Sequence, residues 1–137
     1  FDQGLGDLFV VRTAGEVADA GAVASIEYAV EHLGVKSILI MGHTSCGAVK
    51  AALTTPKGTS AGSKDLDHLV GSVRSHLKGI TVEGAGPGLE YAVKAQVDGA
   101  SKDLLKRSKI IREAVEKHGV TLVHGIYRLD TGRADIW

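Results

Sequence analysis

The sequence predicts an α/β fold: a mainly parallel central sheet flanked by helices, with a pair of strands at its carboxyl end. Three observations carry that prediction. Apolar runs of strand length alternate with stretches of helical period, an order that lays strands side by side and helices over them. The run Ile38-Leu39-Ile40-Met41 is short, apolar and rich in β-branched residues, and a helix-like stretch follows it at once, as in a strand that feeds a crossover. Near the end, Val120–Leu129 and Ala134–Trp137 read as two strands joined by the turn Asp130-Thr131-Gly132.

In chain order, Phe1–Gly6 is a glycine-rich turn and Leu8–Arg12 an apolar strand. Both Leu8-Phe9-Val10-Val11 and Ile38-Leu39-Ile40-Met41 read as buried on two faces. Thr13–Gly21 is a polar connection of small residues. From Ala22 to Leu33 the apolar side chains Val23, Ile26, Val30 and Leu33 form a helical stripe, which Gly34 ends. After the strand at 38–41, Gly42 lets the backbone turn and Gly47 opens a helix over Ala48-Val49-Lys50-Ala51-Ala52. Thr54–Ser63 is a loop. Asp65–Leu77 is amphipathic, with Leu66, Leu69, Val70, Val73 and Leu77 on one face. Lys78–Gly88, with four glycines and a proline, is a second loop. A long helical pattern begins near Leu89 and breaks around Arg107. Ser108 is placed to cap a last helix, Lys109–Lys117, closed by His118-Gly119. With no internal repeat and no domain-scale linker, residues 1–137 read as one domain.

Composition narrows the function classes. The chain has 137 residues, 44% of them hydrophobic, enough for a real core. Sixteen basic residues balance sixteen acidic ones and aromatics are 4%; with no Lys/Arg cluster, neither nucleic acid nor an anionic membrane is indicated as a partner. A single cysteine excludes an internal disulfide framework and fits a reducing compartment such as the cytoplasm. No apolar run approaches the roughly 18–20 residues that span a bilayer.

The chemistry gathers at Gly42-His43-Thr44-Ser45-Cys46-Gly47-Ala48. His43 and Cys46 fall where a strand's carboxyl end hands over to a helix, the place where α/β sheets collect ligands. H-x-x-C is a workable metal spacing, since residues three apart in a helical turn face the same way. Imidazole nitrogen with thiolate sulfur suits zinc, and the small neighbours leave room for a small substrate. The plainer reading is a buried imidazole beside an inert core thiol.

The same seven residues resemble the second zinc motif of the β-class carbonic anhydrases. Gly6-Asp7-Leu8-Phe9-Val10-Val11-Arg12-Thr13-Ala14-Gly15 and Ser25-Ile26-Glu27-Tyr28-Ala29-Val30 resemble blocks of that family in the same order, and Arg107–Trp137 resembles its closing helix and strands. The resemblance implies a β-carbonic-anhydrase-like fold and reversible hydration of carbon dioxide to bicarbonate. His43 and Cys46 are then ligands to Zn2+, which lowers the pKa of its bound water to about 7. A third ligand, a cysteine, belongs to a C-x-D-x-R motif expected upstream of Phe1, together with the Asp–Arg pair that serves catalysis. No catalytic residue is therefore assigned within 1–137, which reads as lacking the N-terminal helix and first strand. By itself the chain is expected to bind zinc weakly and to be nearly inactive. Phe9, Tyr28 and Gly47 match positions lining the carbon dioxide pocket, though Phe9 and Tyr28 also read as ordinary core. Arg12 resembles an arginine that contacts bicarbonate in one branch. Thr13 and Glu16 depart from the asparagines usual there. A homodimer or homotetramer is implied.

Rival readings are a carbonyl sulfide or carbon disulfide hydrolase on the same scaffold, a cysteine hydrolase using Cys46, and a zinc-free relative acting as a binding or assembly module. Among other polar residues, His32 and His118 lie near helix carboxyl ends, where a cationic ring is favoured. His68 and His76, eight apart, have no ligand spacing on a helix, and His124 alternates in a strand as a structural residue. Lys102-Asp103 with Lys106-Arg107 reads as a solvated helix face.

Overall fold

Two apolar runs lie side by side as strands although 84 positions separate their partners, as in Ser37 and Thr121. In the computed structural model, which describes residues 1–82 and 87–137, β1 (Ser37–His43) and β2 (Thr121–Tyr127) pair in parallel from Ser37↔Thr121 to His43↔Tyr127. β3 (Ala134–Ile136) lies antiparallel to β2, so the sheet runs in the order β1-β2-β3. The expected closing strand pair is present, joined through Arg128 and the Asp130–Gly132 turn.

Among the described residues five helices flank this sheet: α1 (Ala20–His32), α2 (Gly47–Thr54), α3 (Lys64–His76), α4 (Pro87–Arg107) and α5 (Lys109–Lys117). Three of them start on side-chain caps: Asp19, Ser63 and Ser108 accept from the backbone N–H of Ala22, Leu66 and Ile111, satisfying donors that a helix start leaves free. Ser108 is buried and also donates to Glu27 Oε1 at 2.6 Å, which ties α5 to α1. A 3-10 turn, Ala14–Glu16, precedes α1.

Period-two geometry decides what meets the helices. Ile38, Ile40 and Leu122 pack with α1, α5 and the end of α4 around Leu104 and Ile111. Ile126 joins a second cluster with Cys46 and Val49 of α2, Val73 of α3, and Ala92 and Val93 of α4. On the other face Leu39, Met41 and Val123 are half-buried, as Ile40 and Leu122 are on the first, so among the apolar side chains of β1 and β2 only Ile38 and Ile126 are buried within this chain, short of the two buried faces expected.

Three further expectations are corrected. Leu8–Arg12 forms no strand; it runs without a ladder partner, with Leu8, Phe9 and Val10 about half exposed or more. An apolar run becomes a strand only where neighbouring backbone groups complete its hydrogen bonds, and none among the described residues does so. Second, β1 continues through Gly42 and His43, and the chain turns at Ser45, whose φ of 59° is left-handed. Gly42 serves a close approach instead: a Cβ there would stand 2.6 Å from Val93 Cγ1 and 2.9 Å from Val97 Cγ2 of α4. Third, α4 begins at Pro87, inside the span read as the loop Lys78–Gly88; residues 83–86 of that span lie outside the described residues.

Candidate metal centre at the β1–α2 turn

The turn between β1 and α2 is held from the far end of the chain. Thr44 N–H donates to the Tyr127 carbonyl at 2.9 Å, and Thr44 Oγ1 accepts from the Leu129 N–H at 3.0 Å. Cys46 occupies the N-cap position of α2, and its carbonyl accepts from Lys50 N–H at 3.0 Å. His43 ends β1 and Cys46 stands at the N-cap of α2, on either side of the Thr44-Ser45 turn rather than along one helical face, which corrects the spacing argument.

The two side chains differ in setting. His43 Nδ1 lies 2.9 Å from the Thr44 carbonyl. A carbonyl only accepts, so Nδ1 carries the proton and Nε2 keeps its lone pair, the arrangement a metal-ligating histidine adopts. Cys46 is 2% exposed. Burial pushes its thiol up, the Glu16 charge pushes it further, and the backbone N–H groups of Val49 and Ala48 act in the opposite sense.

Glu16 is the neighbour that the sequence flagged but could not place. Its backbone takes φ 51°, directly after Gly15 at φ 62°. A Cβ on Gly15 would meet Val73 Cγ2 at 2.8 Å and Ala48 Cβ at 3.1 Å, and one on Gly42 would lie 3.8 Å from Glu16 Oε1. The turn therefore presses between α2, α3 and the end of β1. Desolvation raises the pKa of the Glu16 carboxyl from 4.5 to about 7, and its buried Oε2 has no hydrogen-bond partner among the described residues.

These observations test the fit of zinc. The donor set, one imidazole nitrogen and one thiol sulfur, is right in type. A buried thiol beside an orphaned carboxylate oxygen is costly without a cation, which also favours a metal here. The number is short: among the described residues no group of three or more His, Cys, Asp or Glu side chains is placed to hold an ion. Zinc is thus suited in chemistry by His43 and Cys46 and needs further donors.

The remaining predicted site residues are more dispersed. Gly47 is the exposed first residue of α2, with open space where a Cβ would stand. Phe9 is 46% and Tyr28 53% exposed, so neither is a closed pocket wall within one chain. The Tyr28 ring rests instead against His32, centroids 4.9 Å apart. Arg12 is exposed. Sequence reasoning missed Gln96, fully buried, whose Nε2 donates to the Gly15 carbonyl at 2.6 Å. A signal existed: Gln96 falls among Leu89, Ala92, Val93, Val97 and Ala100 on the buried stripe of α4, where an amide must find partners.

This arrangement of sheet and helices matches solved β-carbonic anhydrase structures. The crystal structure of the enzyme CafA from Aspergillus fumigatus superposes with a TM-score of 0.80 at 29% identity, covering 97% of this chain and 64% of that one. A tetrameric β-carbonic anhydrase from Sordaria macrospora gives 0.82 at 25% identity, over 97% of this chain and 69% of that one. The family model described as carbonic anhydrase matches residues 1–134. "Carbonic anhydrase 2" of Mycobacterium tuberculosis is 42% identical over 135 residues, 98% of this chain and 64% of the relative's length. The chain belongs to the β-class carbonic anhydrase family. It spans somewhat less than two thirds of that mycobacterial relative.

Proposed function

We propose that this chain serves the zinc-dependent, reversible hydration of carbon dioxide to bicarbonate. The observation that carries the reading is His43 and Cys46 on one strand-to-helix turn, with Nδ1–H of His43 committed to the Thr44 carbonyl and Nε2 left to bind. His43 and Cys46 would hold the ion, and a cysteine from outside these residues would complete the set. Zinc, when bound, supplies a Lewis acid that makes water nucleophilic near neutral pH. The protein's own part is positional. The Thr44 bonds to Tyr127 and Leu129 fix the turn, the Thr44 carbonyl fixes the imidazole tautomer, and Gly47 leaves space beside Cys46 for a small uncharged molecule. Phe9 and Tyr28, half exposed here, are proposed to wall that space in an assembly of chains, with Arg12 at its rim as a bicarbonate contact. The near-complete burial of Cys46, with its thiol pushed up, weighs against a free cysteine nucleophile, which works as the thiolate. Stopped-flow hydration of carbon dioxide by the complete protein, abolished by a chelator and restored by zinc, tests the proposal. A zinc-loaded protein no faster than buffer would reject it.

A further inference from the structure

The 3-10 turn that carries Glu16 is bridged from within by an exposed bond, Thr13 Oγ1–H to the Val17 carbonyl at 3.1 Å. Two successive residues, Gly15 and Glu16, sit in the left-handed region at φ 62° and 51°, and a glutamate adopts that backbone reluctantly. A buried bond from outside the turn adds to that exposed one. The Gly15 carbonyl accepts from Gln96 Nε2 of α4 at 2.6 Å, a bond between residues 81 apart. Because that carbonyl can only accept, the Gln96 amide is oriented: NH2 toward Gly15, oxygen away. The oxygen meets His76 Nδ1 of α3 at 2.9 Å, so Nδ1 carries a proton and donates. The other ring nitrogen, Nε2, lies 3.0 Å from Asp103 Oδ2 of α4. A carboxylate oxygen only accepts, so this contact ties the ring to α4 beside the Gln96 bond. Gly99 makes room for this: a Cβ on it would come within 2.6 Å of His76 Cβ and Cδ2. The His76 side chain thus packs directly against α4 at Gly99.

We infer that Asp103, His76 and Gln96 form a positioning relay that fixes the Gly15–Glu16 turn against the β1–α2 junction. None of the three touches His43 or Cys46 through a hydrogen bond in the described residues. They act through the turn, whose Gly15 packs on Ala48, two residues past Cys46, and whose Glu16 packs on Gly42, one residue before His43. The functional half of this inference rests on the carbonic anhydrase reading above; the structural half does not.

The test uses the complete, zinc-loaded protein and two readouts. In hydrogen–deuterium exchange, His76→Leu is expected to speed exchange in residues 13–19 while leaving β2 and α5 protected. His76→Asn, whose side-chain amide can stand near the position of Nδ1, should restore protection. Gly99→Ala, which displaces the ring without removing a polar group, should resemble His76→Leu. Zinc content should stay at the wild-type value. In carbon dioxide hydration, His76→Leu should lower kcat about 10–100-fold with little change in KM, the size that slight misplacement of an active site produces, and His76→Asn should recover most of it. Should His76→Leu not fold, Asp103→Ala at its half-exposed position supplies the same exchange comparison, again with faster exchange in 13–19 expected. Unchanged exchange in residues 13–19 in the folded variants, or equal effects of Leu and Asn at 76, would overturn the relay. A wild-type protein without hydratase activity would instead reject the reading of the site and leave the exchange result to decide the relay.

Discussion

Cys46 and Glu16 show how far burial alone can shape a site. Both are acids kept from water, and neither has a cation to answer it among the described residues. In the complete protein, Cys46→Ser is expected to lose zinc, because a hydroxyl does not ionise near neutral pH as a metal-bound thiol does. The loss of affinity should exceed the roughly 10–100-fold that removal of an outer-shell partner costs, and His43→Ala should match it. Metal analysis after dialysis checks both, and wild-type zinc in either variant would mean the turn is not the metal site. For Glu16 the consequence concerns pH. Its carboxyl is raised from 4.5 to about 7 by burial in the folded chain, so between those values the folded state holds a proton that the unfolded state has released. Stability is therefore complete below pH 4.5 and falls as pH rises through 7. The shift caps the effect at about 3 kcal/mol. Urea denaturation of the metal-free chain should show wild type losing stability between pH 5 and 8 relative to Glu16→Gln; parallel curves would contradict this.

At the scale of the element, most helices and both long strands were legible because their causes are local. The stripe Val23, Ile26, Val30 and Ser108's capping position lie within a few residues of what they predict, and α1 and α5 formed where those signals stand. Leu8–Arg12 failed for the opposite reason: its composition suits a strand, but pairing is a property of a neighbour. Gly42 failed more instructively. A glycine before a turn suggests the turn, whereas its use is contact with Val93 and Val97, residues about fifty positions away. The expected outcome for Gly42→Ala follows. A methyl 2.6 Å from a stiff β-branched side chain cannot be absorbed without moving β1 from α4, and overpacking of this kind costs about 1–3 kcal/mol. A lower denaturant midpoint together with weaker zinc retention is expected, because His43 is the next residue; an unchanged midpoint would show that α4 yields.

For the whole molecule, the two proposed zinc donors lie in one short motif that the sequence displays, while the relay through Gln96, His76 and Asp103 was not legible, since it joins three positions on two helices to a turn 81 residues upstream of Gln96. The partly open face of the sheet and the exposed Leu8, Phe9, Val10 and Tyr28 leave more apolar surface than a lone small chain usually shows. A dimer or larger assembly is the expected state of the complete protein, and light scattering over a dilution series should find it; a monomer at every concentration would count against it. The anchoring of Thr44 has a temporal side as well. Its partners, Tyr127 and Leu129, are made long after it, Leu129 following by 85 residues. At ~5–20 residues per second a ribosome needs roughly 4–17 s to cover that interval. Throughout it His43 and Cys46 already exist, on a turn whose later partners are still unmade, so a nascent chain presents its proposed metal donors before it can hold them in place.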